Sequence, residues 1–213
     1  MRTLPFQAAE DVRAAIPQVV EHLRAGGLIA YPTETVYGFG CLLQDHALER
    51  LAEVKGRGDD KPFLLLVGTE QDLKGVSWPE SARRLAEVFW PGPLTLALPA
   101  ETGRFHPRVV GAGGTVAVRR TPQPAIRELL LVLHEPITST SANAPGEASA
   151  LTAEDAATVL QRAGATDALV LDGGALAPSR PSTLVDCSVE PPRLIREGVL
   201  TRGDLAKIVS VNG

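Results

Sequence analysis

Residues 11–43, DVRAAIPQVVEHLRAGGLIAYPTETVYGFGCLL, change character three times, and that change decides the fold class. Asp11 to Arg24 repeats apolar residues at helical spacing and stops at Gly26-Gly27, with Pro17 requiring either a first-turn position or a kink. Leu28 to Tyr31 then reads as a short buried strand, and Thr35 to Leu43 is rich in β-formers and glycine. Outward from this unit the same switching recurs. Helices are expected over Asp45 to Val54, with Leu48, Leu51 and Val54 on one face, and over Pro79 to Phe89, stopped by Pro91-Gly92-Pro93. Pro122 is expected to open a helix reaching about Leu131. Thr152 to Gln161 reads as a helix capped by Thr152, and Asp204 to Val209 as a last helical turn. Strands are expected at Phe63 to Val67, Thr95 to Leu98, Thr115 to Arg119, Ile137 into Ser139-Thr140-Ser141, Leu169 to Leu171, Ser182 to Cys187 and Arg193 to Ile195. The pattern is that of an α/β (α+β) chain without repeats or a long linker, read as a single domain over residues 1–213.

The 213 residues are 44% hydrophobic and 22% charged, which suits a folded core and excludes disorder as the main state. Twenty-one Lys and Arg face 25 Asp and Glu, a net charge of −4, so an anionic partner needs a local cationic cluster. Only four lysines occur, and Lys55 and Lys61 crowd into one short window. The N-terminus lacks the uninterrupted apolar run of a signal peptide, and no segment approaches the roughly 18 apolar residues of a membrane span. A cytoplasmic protein without a membrane partner is expected. Cys41 and Cys187 alone cannot form a disulfide framework or a zinc site, so both are expected as buried thiols.

Phosphate-loop, dinucleotide, zinc-protease and nucleophile-elbow motifs are absent, and His22, His46, His106 and His134 stand apart from one another. What remains is a set of loops at strand ends. Pro32-Thr33-Glu34-Thr35 places hydroxyls where a chain leaves a buried strand, although a plain turn explains it as well. Lys55-Gly56-Arg57-Gly58-Asp59-Asp60-Lys61 can fold round an anion; helix-dipole preference and local ion pairs explain it equally. Ser139-Thr140-Ser141-Ala142-Asn143, with Ser149 nearby, lets a ligand approach the backbone closely. Alternation in Thr115–Arg119 aims Thr115, Ala117 and Arg119 at one face. An inward Arg119 requires a carboxylate, from the protein or from a substrate.

Read together, PTETVYGFG, the Lys55-x-Arg57 pair, WPGPLT, TVAVR, STSAN, PSTLVD and LIREG resemble, in that order, the YrdC-like family of threonylcarbamoyl-AMP synthases. The resemblance runs from about Gly26 to Gly198. It implies an open twisted mixed sheet flanked by helices around a large concave cavity. It also implies formation of threonylcarbamoyl-AMP and pyrophosphate from L-threonine, bicarbonate and ATP, with Mg2+ accompanying the triphosphate and tRNA threonylcarbamoyl-transfer proteins receiving the product. Carried over by motif, Lys55 and Arg57 would hold the ATP phosphates as the catalytic pair. Lys61, Thr115, Ser141, Asn143, Ser149 and Arg196 would be further ATP contacts. Thr35, Arg119, Ser139 and Ser182 would form the threonine site, Arg119 taking the substrate carboxylate. No metal ligand is assigned.

Three positions depart from the family pattern. Gly58 stands where proline usually follows the K-x-R, Leu66 where some members carry a threonine-site histidine, and Glu197 where many have proline beside Arg196. The chain resembles the short form without a second C-terminal domain. The alternative is a double-stranded-RNA-binding or ribosome-maturation module without catalysis. The net charge and only two Trp, two Tyr and five Phe weigh against it while leaving weak RNA binding open.

Overall fold

Strand and helix alternate along the chain as the apolar periodicity requires. The computed structural model describes residues 1–56 and 61–213. Its strands are β1 (Arg2–Pro5), β2 (Ile29–Pro32), β3 (Tyr37–Gly40), β4 (Leu64–Leu66), β5 (Leu94–Pro99), β6 (Val110–Gly111), β7 (Thr115–Arg119), β8 (Ile137–Ser141), β9 (Leu169–Asp172), β10 (Thr183–Asp186) and β11 (Arg193–Arg196). The helices are α1 (Ala9–Arg24), α2 (Asp45–Lys55), α3 (Glu80–Phe89), α4 (Pro124–Leu133), α5 (Ala153–Arg162) and α6 (Arg202–Ala206). No helix among the described residues is long and apolar enough to cross a membrane.

The strands join in one mixed sheet in the order β1-β9-β2-β3-β8-β4-β7-β5-β10-β11, with β6 added alongside β7. The β1–β9, β2–β9, β4–β7 and β5–β10 pairs are parallel and the others antiparallel. β8 is the seam. Its first three residues pair with β4 and its last two with β3, so the hydroxyls of Ser139, Thr140 and Ser141 sit where the two halves of the sheet meet.

Both faces are buried, but not equally. On one face Phe39, Leu65, Leu96, Val116, Val118, Val170 and Val185 pack against Leu48 and Leu51 of α2, Leu85 of α3 and Leu160 of α5. On the other, Ile29, Tyr31, Leu66, Leu169 and Leu171 pack against Ile16, Val19 and Leu23 of α1 and Ile126, Leu129 and Leu130 of α4. The period-2 alternation within β2, β4 and β9 feeds these two cores alternately. Along β5, β7 and β10 the second face carries Thr95, Ala117, Arg119 and Leu184, and there it lines a cavity.

Several boundaries differ from expectation. Pro124, not Pro122, takes the first position of α4, with the Gln123 side chain accepting from the Ala125 amide. α6 begins at Arg202 because Thr201 and Asp204 form a reciprocal cap. Pro17 lies inside α1, which starts earlier, at Ala9. β1 gives no sequence signal because it is largely exposed, and its pairing with β9 supplies the order.

Candidate active site

The cavity opens beside the seam strand and measures about 680 Å³, lined by Thr35, Lys61, Arg119, Ser139, Ser141, Ser149, Ser182 and Arg196 among the residues expected at a site. Thr33, Gly38, Thr95, Thr140 and Ser179 complete its polar and close-backbone surfaces.

The loop between β2 and β3 is shaped by Thr33. Its Oγ1 accepts from the Thr35 and Val36 amides at 3.2 and 3.3 Å and donates to the Val36 carbonyl at 2.7 Å. This fixed turn sets the Thr35 hydroxyl 3.1 Å from that of Thr33. Gly38 opposes Ser141 in the ladder, and a Cβ there would lie 3.3 Å from the Thr140 carbonyl. Its glycine lets the strands approach beneath the cavity floor.

The turn after β8 is held by Lys55, which is buried at the end of α2. Its ammonium donates to the Ser141 and Asn143 carbonyls, both at 2.6 Å, and to Asn143 Oδ1 at 2.8 Å. Ser141 Oγ also donates to Asn143 Oδ1 at 2.5 Å, and Asn143 Nδ2 donates to the Ala144 and Glu147 carbonyls. Lys55 and Asn143 thus shape the wall from behind, and neither lines the cavity. Thr115 also stands apart: it is buried, and its hydroxyl donates to the Ala112 carbonyl at 3.2 Å, closing the glycine-rich turn before β7. Arg57 and Gly58 lie outside the described residues.

The far wall depends on a β-bulge. Leu184 pairs with Arg196, but Val185 pairs with Leu194, so Ile195 is the extra residue and is 50% exposed. Without the bulge, simple alternation would keep Arg196 on one face with Leu194, whose side chain packs against the core. The shift sets Arg196 opposite the cavity-lining Leu184 instead. Arg196 donates from Nε and Nη2 to the Ser182 carbonyl at 3.2 and 3.0 Å, and Ser182 Oγ lies 2.9 Å from Thr95 Oγ1.

Among the described residues three cations, Lys61, Arg119 and Arg196, face one cavity. Burial, and then the like charge of Arg119, press the Arg196 guanidinium below its ordinary range. Arg119 meets Glu34, whose Oε1 lies 3.2 Å from its Nη1. The carboxylate that an inward arginine requires is thus provided by the protein. Glu34 escaped the sequence reading because, in a threonine-flanked turn, only its distant partner marks it out. Glu197 turns away from Arg196: it approaches Arg180 at 3.8 Å and accepts from the Arg202 amide at 2.9 Å. Leu66 is buried against α1 and α4 and takes no part in the cavity lining. A lining of hydroxyls and cations suits a reaction catalysed by positioning and charge stabilisation.

A family model described as "Telomere recombination", named for Sua5, YciO and YrdC, matches residues 21–198. The threonylcarbamoyl-AMP synthase of Pyrococcus abyssi is 37% identical over 191 residues, 88% of this chain and 55% of that protein. The chain therefore spans little more than half the length of that relative. The threonylcarbamoyl-AMP synthase of Vibrio vulnificus (strain YJ016) is 37% identical over 188 residues, 86% of this chain and 98% of the relative. Among solved structures, P. abyssi Sua5 complexed with L-threonine superposes with a TM-score of 0.86 at 31% identity, covering 100% of this chain and 63% of that one.

Proposed function

The chain belongs to the Sua5/YciO/YrdC family, and from that premise we propose that it is a threonylcarbamoyl-AMP synthase, a nucleotidyltransferase acting on L-threonine, bicarbonate and ATP for tRNA modification. One observation carries the reading: a single cavity gathers hydroxyls from β5, β8 and the loops leading into β3 and β10 together with Lys61, Arg119 and Arg196. That lining suits a substrate set made of a triphosphate, a carboxylate and a hydroxyl-bearing side chain.

In the proposed reaction the neutral amine of threonine adds to bicarbonate with loss of water, giving a carbamate. A carbamate oxygen then attacks the α-phosphorus of ATP, and the bond to the β-phosphate breaks to release pyrophosphate. Arg119 would bind the threonine carboxylate, with Thr35, Ser139 and Ser182 ordering the rest of the amino acid. Lys61, Ser141, Ser149 and Arg196 would order the nucleotide and offset its charge, with Arg57 as a further phosphate contact. Lys55 would serve the nucleotide mainly by fixing the Ser141–Asn143 turn, since its ammonium already donates to the Ser141 and Asn143 carbonyls and to Asn143 Oδ1. Thr115 would act at one remove, through the turn before β7. The hydroxyl and cationic lining fits phosphate oxygens rather than a metal ion, so Mg2+ is assigned to the triphosphate and to no side chain. The product is labile, and its proposed recipients are tRNA threonylcarbamoyl-transfer proteins in the cytoplasm.

The test is pyrophosphate release by the purified protein with ATP, Mg2+ and labelled bicarbonate, with and without L-threonine. Threonine-dependent release accompanied by label in an adenylate supports the reading; release indifferent to threonine overturns it.

A further inference from the structure

Arg119 is 4% exposed and lines the cavity from β7, while its Nε is buried with no hydrogen-bond partner among the described residues. Glu34 approaches it on Nη1, the guanidinium nitrogen on the Cδ side. The Nε and Nη2 hydrogens form the other edge of the fork, two parallel donors whose spacing matches the two oxygens of a carboxylate. Glu34 thus leaves the bidentate edge clear.

Glu34 is itself held from behind. Its Oε2 accepts at 2.7 Å from the hydroxyl of Thr121, which is wholly buried. That hydroxyl accepts from the Gln123 amide at 3.2 Å, which directs its proton to Glu34. Thr121, set by the start of α4, thus fixes the Glu34 carboxylate, whose Oε1 makes a charge contact with Arg119 Nη1 at 3.2 Å and no hydrogen bond among the described residues. Neither Glu34 nor Thr121 lines the cavity.

We propose that Glu34, anchored by Thr121, is a positioning residue that turns Arg119 so that its Nε–Nη2 edge receives the carboxylate of the amino-acid substrate. The inference rests on the reading of the cavity as a threonylcarbamoyl-AMP synthase site. A buried donor left unpaired is costly, and a bidentate carboxylate satisfies it. An arginine released from Glu34 would rotate among other acceptors and lose that fork.

The test compares steady-state pyrophosphate release by the wild-type protein with that of Glu34→Gln, Thr121→Val and Thr121→Ser. Glu34→Gln and Thr121→Val are expected to raise the KM for L-threonine by about tenfold or more, with the KM for ATP within about twofold and kcat little changed. Thr121→Ser, which keeps the hydroxyl, is expected to recover most of the threonine affinity. If Glu34→Gln fails to fold, the two Thr121 variants carry the decision. An active wild type whose variants bind threonine normally, or lose threonine and ATP equally, overturns this inference alone. A wild type without threonine-dependent release overturns the parent reading and the inference with it.

Discussion

The Lys55 ammonium lies 2.8 Å from the side-chain oxygen of Asn143, across 88 positions of sequence, and the same ammonium grips two backbone carbonyls of that turn. A buried cation here organises a loop whose Ser141 faces the cavity. Lys55→Met would strand those carbonyls in a buried environment, lowering unfolding stability by about 2–3 kcal/mol and disordering the nucleotide side of the site. Urea titration together with the KM for ATP checks this; a variant of unchanged stability and KM contradicts it.

Arg119→Lys preserves a charge opposite Glu34 but removes the planar fork. The fold is expected to survive while the KM for L-threonine rises by about tenfold or more. Full activity in the lysine variant would show that a point charge suffices there.

Selectivity follows from the hydroxyl-rich wall. Thr140 lines the cavity, its Oγ1 buried with no hydrogen-bond partner among the described residues, and Thr35, Ser139 and Ser182 face the same space. L-Serine, lacking only a methyl, is expected to lose about 10–100-fold in kcat/KM, and L-valine, lacking the hydroxyl, about 10⁴-fold. Parallel progress curves with the three amino acids test the order, and valine matching serine would refute it.

Stability should fall in alkali. Burial, only partly offset by the Thr138 hydroxyl, pushes the Cys41 thiol from 9.0 up to about 12. Burial, reinforced by the Asp186 and Glu190 charges, takes Cys187 from 9.0 to about 12 as well. Above pH 9 the unfolded chain sheds protons that the native state keeps, so the contribution is complete below pH 9 and is lost as pH rises toward 12. Tyr31, also raised by burial, works in the same direction. Each such proton contributes at most about 1.4 kcal/mol per pH unit. Urea midpoints should hold steady between neutral pH and about pH 9 and drop above it; a flat profile to pH 11 is the contrary outcome.

Gly198 owes its identity to a close approach. A Cβ there would lie 2.1 Å from the Pro181 carbonyl and 2.6 Å from the Ser182 carbonyl carbon. Gly198→Ala should therefore cost about 1–3 kcal/mol and displace Ser182, with thermal unfolding and threonine KM as the readouts. An alanine variant unchanged in both would count against this packing.

Much of this was readable in advance. The TVAVR alternation gave both the limits of β7 and the inward aim of Arg119, because strand periodicity is local. The hydroxyl clusters at strand ends marked the cavity for the same reason. Three features were hidden by non-local causes. Glu34 is defined by Arg119 and Thr121, which lie far along the chain. Arg196 reaches the cavity face through a bulge that alternation does not announce. Lys55 reads from sequence as one cation of an anion-binding loop, because its carbonyl partners belong to another loop. Helix starts slipped where a side-chain cap competed with proline, as at Gln123-Pro124.

The order of strands also bears on synthesis. β9 inserts between β1 and β2, and β10 joins β5 only after nearly all of the sheet has been made. Ser182, Leu184 and Arg196, which close the far wall, emerge from the ribosome after every other residue that lines the cavity. A nascent chain therefore lacks the far wall of the cavity until Arg196 is free to pair with Leu184. Partly translated molecules should therefore show none of the threonine-dependent pyrophosphate release proposed for the full chain.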